Sequence, residues 1–131
     1  MKKLALFTSA LAVYLVAISF APLSLKKEDS MKKKLKHIVL IEFKTSTTEQ
    51  DIEQIKNEAL TLQQIRGVNN LHFSRNVSPE KLNKHYTHAL TMWFKSEEDR
   101  DKIYLPHPIH QKFVDLFVPQ TNNVLVFDYW E

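Results

Sequence analysis

The stretch Tyr104-Leu105-Pro106-His107-Pro108-Ile109-His110 sets a phenol and two imidazoles around a double proline break. A neutral imidazole at His110 works near its own pKa and could take an acidic carbon-bound proton, such as one between two carbonyls. Tyr104 could donate a hydrogen bond to the carbonyl oxygen as negative charge builds there. Chemistry of that kind calls for no cofactor, metal or nucleophile. A structural alternative stands beside it: His110 falls in the first turn of a helix begun by Pro108 and bonds the backbone to shape the break. His107 shares a helix face with His110, but Pro108 favours His107 as an N-terminal cap, and no carboxylate lies at ligand spacing. No metal site is therefore expected. His37 shares a strand face with Val39, Ile41 and Phe43, and His88 shares one with Leu90, Met92 and Phe94. Each reads as a satisfied core residue or as pocket lining. His72 and His85 sit in polar surroundings and read as surface residues.

Two scarcities narrow the chemistry further. The chain has no cysteine, which rules out disulfides, thiolate catalysis, cysteine-based zinc sites and a lipidated cysteine. Gly67 is the one glycine, so no glycine-rich phosphate loop or dinucleotide fingerprint can form.

The elements that must position these residues follow from periodicity. His37 to Phe43 is apolar on both faces and predicts a strand in the middle of a sheet. Ser46 and Glu49 have capping-box spacing, and Ile52, Ile55, Ala59, Leu62 and Ile65 then recur at helical intervals. Gly67 comes next, where a helix end favours a left-handed residue. Leu71 to Val77 alternates as a second strand, and His88 to Phe94 as a third. Ser96 is placed to cap an acidic helix that Pro106 and Pro108 interrupt. Pro108 starts a further helix carrying His110, Phe113, Val114 and Phe117. Asn122-Asn123 is a turn signal before a last strand, Val124 to Trp130. The order predicts an α+β, ferredoxin-like βαββαβ sandwich. Because the first and last strands are apolar on both faces, a second copy is expected to cover the open sheet face, giving a homodimer. Trp93, Tyr129 and Trp130 read as core or dimer-interface packing.

Ahead of this domain, Lys2 and Lys3 precede the apolar run Leu4 to Ala21. That pattern is expected to be a signal peptide or signal anchor over residues 1–23, directing the protein to export or to a membrane. Residues 24–35 form a charged linker, and the domain occupies residues 36–131. The lysines between residues 26 and 36 favour holding the domain on the cytoplasmic side if the apolar segment is retained, and they could also hold anionic lipid. A start at Met31 would instead leave a cytoplasmic protein. Residues 1–36 hold eight lysines against Glu28 and Asp29, whereas the remainder holds 10 Lys/Arg against 13 Asp/Glu. The basicity belongs to the leader, so no nucleic-acid partner is expected.

The segment His37 to Trp130 resembles the stress-responsive A/B barrel domain family. The carriers are Lys36-His37-Ile38-Val39-Leu40, Asn76-Val77-Ser78-Pro79, Tyr86-Thr87-His88-Ala89-Leu90, the Tyr104 to His110 stretch, and Val124-Leu125-Val126-Phe127-Asp128-Tyr129. The resemblance implies a dimeric α/β barrel in which two sheets face each other. It is similar at particular positions to a plant polyketide-cyclising member, whose catalytic histidine and assisting tyrosine correspond to His110 and Tyr104. Two pocket histidines of that enzyme correspond to His37 and His88, and a second pocket tyrosine falls near Ala59. The implied function is binding of a small carbonyl-rich or aromatic molecule in a His/Tyr pocket. The alternatives are a stress-related dimer without a ligand and a cofactor-independent cyclase-like lyase. Room distinguishes them: an open cavity with convergent His and Tyr side chains favours a ligand, and one packed shut by Phe113, Phe117 and Met92 does not.

Overall fold

The computed structural model describes residues 33–131. The leader over residues 1–23 and most of the linker lie outside them, and no helix among the described residues is long and apolar enough to cross a membrane. The strands are β1 (Leu35–Phe43), β2 (Asn69–Arg75), β3 (His88–Phe94) and β4 (Thr121–Trp130); the helices are α1 (Glu49–Thr61) and α2 (Pro108–Phe117). They form one antiparallel sheet in the order β2-β3-β1-β4, the ferredoxin-like arrangement. Of the two strands apolar on both faces, β1 lies inside the sheet and β4 at its edge.

One face of the sheet supplies Leu35, Val39, Ile41, Leu90, Met92 and Phe94 to the core. The helical layer answers with Ile55, Ala59, Leu62, Phe113 and Phe117. Phe113 and Phe117, one turn apart on α2, stack with centroids 4.6 Å apart. The strand β4 is an edge strand whose Val124, Leu125, Val126 and Phe127 stay exposed on both faces.

The boundaries depart from expectation in four places. The cap of α1 is Thr48, not Ser46: Thr48 Oγ1 accepts from Asp51 N at 3.1 Å, and the Asp51 carboxylate accepts from Thr48 N at 2.9 Å. Thr47 is diverted to tie the chain to the end of α2, donating to the Gln120 carbonyl at 2.9 Å, so the helix can begin only after it. Strand β2 begins and ends two residues earlier than the alternation suggested. Asn76 turns the chain by accepting from Ser78 N, which leaves Val77 almost fully exposed. The acidic segment after Ser96 continues as a π-helical turn, Asp99–Tyr104, with Leu105 N donating to the Arg100 carbonyl at 2.9 Å. Asn122 and Asn123 lie inside β4; the turn comes earlier, in a short 3-10 segment holding Pro119.

Gly67 has φ +97°, and a Cβ there would meet the Asp99 Cβ at 3.0 Å. Both conformation and space therefore demand glycine at the point where α1 hands over to β2. Gly67→Ala is expected to cost about 1–3 kcal/mol of folding stability. Urea unfolding beside a solvent-facing Gln64→Ala control measures it, and an unchanged midpoint would refute the strain.

Candidate functional site

The break between the π-helical turn and α2 places Tyr104 and His110 against the start of β1. His107 caps α2, its Nδ1 accepting from Ile109 N at 3.2 Å, and Pro108 takes the first helical position. His110 then falls two residues into the helix, its ring 4.4 Å from that of Tyr104. Tyr104 also packs against Phe94 at 5.1 Å and against the edge of His37 at 5.8 Å. The phenol is thus held by aromatic contacts on three sides and is 1% exposed. Among the described residues no side chain hydrogen-bonds its hydroxyl, yet no buried polar atom is left unsatisfied.

Two imidazoles have their tautomers set by their partners. His110 Nδ1 lies 3.0 Å from the Leu105 carbonyl oxygen. A carbonyl can only accept, so Nδ1 carries the proton and Nε2 keeps its lone pair. His37 Nδ1 donates to Asp128 Oδ1 at 2.7 Å, across the β1–β4 pair in which these two residues are direct partners. The second oxygen, Asp128 Oδ2, accepts from Arg100 Nη1 at 2.6 Å, and Arg100 Nε donates to Asp101 at 2.7 Å.

Burial lowers the pKa of His37, although the Asp128 carboxylate opposes the shift. His110 is lowered too, first by burial, with the Leu105 carbonyl acting against it and His37 adding to it. Burial, reinforced by Asp128, raises the Tyr104 hydroxyl above its ordinary value. Near neutral pH the site therefore holds neutral imidazoles and a protonated phenol. The Asp128 charge is met by Arg100, not by an imidazolium at His37.

These groups open on a cavity of about 290 Å³. His37, Tyr104 and His110 lie at one end, and Phe113, Phe117, Leu90 and Val39 form the walls. Val118, Val124 and Val126 line it toward the β4 edge. Phe113 and Phe117 stack on each other as a wall and do not fill the space, and Met92 does not line it. The volume is at the small end of the range for small-molecule sites.

His88 is not brought to this cavity. The register pairs His37 with Met92, whereas His88 pairs with Ile41, about 13 Å further along the sheet at ~3.3 Å per residue. There its ring packs against Phe43 and Phe73 and lines a separate groove with Arg75, Asn83 and Tyr86. Alternation put both histidines on the same face, and only the register separates them. Asp128 and Arg100 were not singled out from sequence. The signal for Asp128 was one acidic residue within the apolar run Val124 to Trp130; Arg100 left none.

A ferredoxin-like sheet with a buried histidine, a half-buried helix histidine and a helix-break tyrosine at a small cavity defines a class of small α+β domain. The chain belongs to the stress responsive A/B barrel domain family, whose model matches residues 35–131. It is 33% identical over 102 residues to the stress-response A/B barrel domain-containing protein HS1 of Arabidopsis thaliana, covering 77% of this chain and 93% of that one. It is 27% identical over 96 residues to olivetolic acid cyclase of Cannabis sativa, covering 72% of this chain and 94% of the cyclase. Both relatives consist almost wholly of this domain, which is therefore a unit that exists by itself. A dimeric ferredoxin-like protein from Thermobifida fusca superposes with a TM-score of 0.66 at 18% identity, over 76% of this chain and 92% of that one, and shows the shared fold.

The lowered histidine pKa values give stability a definite pH dependence. Below about pH 6.5 the unfolded chain takes up protons that folded His37, His88 and His110 resist. Stability is then full above the unfolded value and falls as the pH drops from 7 toward 5. Unfolding midpoints across that range should show the fall, and His37→Gln should reduce its slope. A flat profile would contradict the assignment.

Proposed function

We propose that the protein is a homodimer binding a small carbonyl-bearing, aromatic or polyketide-like molecule in the His37/Tyr104/His110 cavity. His110 acts there as base and Tyr104 as hydrogen-bond donor, with no cofactor. The observation that carries this reading is the His110–Leu105 hydrogen bond. It commits Nδ1 and leaves a lone pair on Nε2 of a residue that lines a cavity beside a protonated phenol. A neutral base and a neutral donor suit abstraction of a proton next to a carbonyl, the donor stabilising the enolate oxygen. The relationship to olivetolic acid cyclase supports a carbonyl-rich ligand.

The dimer reading rests on the open sheet face, where Leu125, Phe127 and Tyr129 are exposed beside Ile38 and Leu40. Uncovered apolar surface of this kind marks an association site, and the dimeric neighbour of the same fold supports a second copy. A ligand-free dimer is favoured by one detail: the Leu105 carbonyl accepts from Gln111 Nε2 as well as His110, so both side chains brace the helix break. In the same proposal residues 4–21 deliver the domain to a membrane. The full chain is then expected in the membrane fraction and a chain begun at Met31 in the soluble one.

Thermal unfolding of residues 31–131 against phenolic and β-dicarbonyl compounds tests the pocket. A ligand at about a hundred times its dissociation constant should add about 2.7 kcal/mol to the folded state. Tyr104→Phe keeps the ring contacts and should lose most of the shift. No shift with any compound, together with a strongly destabilised His110→Ala, would favour the bracing role. Leu125→Glu with Phe127→Glu should halve the mass seen by light scattering, and an unchanged mass would remove the sheet-face dimer.

A further inference from the structure

His37 has no part in the chemistry assigned to His110 and Tyr104, yet its ring is held by a chain of side chains that neither of the others has. Its side chain is 6% exposed and lines the same cavity, with the ring 5.8 Å from that of Tyr104. Nδ1 donates to Asp128 Oδ1 at 2.7 Å, so the neutral ring has one polar atom left for a ligand, the Nε2 lone pair. Arg100 Nη1 takes the other carboxylate oxygen at 2.6 Å, and a guanidinium can only donate. We propose that His37 is a specificity-determining residue whose Nε2 accepts from a hydroxyl that the ligand carries besides its carbonyl. Asp128 and Arg100 are the positioning residues that keep it an acceptor. The proposal rests on the ligand reading under Proposed function and narrows that reading to hydroxylated carbonyl compounds, such as hydroxyaryl ketones and the enols of β-dicarbonyls.

Each polar group at this end of the cavity then has a fixed sense. Tyr104 donates to the carbonyl oxygen, His110 offers its lone pair to the acidic C–H, and His37 offers a further lone pair. A ligand whose oxygens are all carbonyls or ethers sets oxygen lone pairs against His37 Nε2, and nothing meets that acceptor. The walls cannot compensate, since Val39, Leu90 and Phe113 are apolar. A hydroxyl satisfies it. A site built to hydrogen-bond a hydroxyl rejects the analogue lacking it far more strongly than an apolar pocket rejects a missing methylene. Burial lowers the pKa of His37, so the lone pair persists near neutral pH.

Asp128→Asn tests this by reversing the ring. Arg100 retains the amide oxygen, so the amide NH2 faces His37 Nδ1, which must now accept, and the ring proton moves to Nε2. Nitrogen NMR of isotopically labelled histidines reads the tautomer. Calorimetry compares meta- and para-hydroxyacetophenone with their methyl ethers. In the wild type His37 Nε2 should be unprotonated, and the hydroxy compounds should bind about tenfold or more tightly than the ethers. In Asp128→Asn, checked for folding by circular dichroism, Nε2 should carry the proton and the preference should collapse, because hydroxyl and ether oxygens can both accept from it. His37→Phe, which keeps a ring and removes the lone pair, should lose the preference while still binding the ethers. A wild-type His37 protonated at Nε2, or a hydroxyl preference that survives either substitution, would overturn the proposal and leave the ligand reading in place. Binding of neither compound class to the wild type would remove the ligand reading and the proposal together.

Discussion

A largely buried carboxylate, Asp128, holds the site together. Removing an ionised carboxylate from water costs several kcal/mol unless both oxygens are engaged. Here one oxygen accepts from His37 and the other from Arg100. The first bond joins residues already paired across β1 and β4, so it reinforces the register of the edge strand. The second reaches the π-helical turn that carries Tyr104. One acid thereby ties the edge strand, the inner strand and the helix break to a single geometry, and it fixes the tautomer of His37 as it does so.

Two imidazoles in one small cavity also restrain each other. A proton on either disfavours a proton on the other, and burial works in the same direction. Arg100 meets the charge on Asp128, so His37 can remain neutral beside a carboxylate. The cavity is therefore polar at one end without carrying charge there. That suits an uncharged or delocalised ligand better than a phosphate or an ammonium ion.

Much of the fold was legible because its signals are local. The two-faced apolar pattern of β1, the alternation of β3, and the Pro108 start of α2 each depend on a few neighbouring residues, and each appears where expected. His107 as a cap follows from the same local logic. The capping of α1 was misplaced because Ser46, Thr47 and Thr48 have equivalent hydroxyls, and a tertiary bond to Gln120 decides among them. At the site, Tyr104, His110 and His37 converge, whereas His88 lies far along the sheet. That separation is a property of strand register, which alternation does not encode. Arg100 and Asp128 escaped notice for the same reason, since their meaning arises only when strands and turn are assembled.

The π-helical turn makes the phenol's position depend on residue count as well as residue identity. Each residue inserted into or removed from a helix rotates the downstream side chains by about 100°. A one-residue deletion between Asp99 and Leu105 would restore a tighter α-helical turn and swing the tyrosine away from the cavity. The strand pairing and the cap of α2 draw on other contacts, whereas the core would lose one of its largest buried side chains. Within this architecture the difference between a domain equipped with a proton donor and an inert one of the same shape can therefore be a single codon's length.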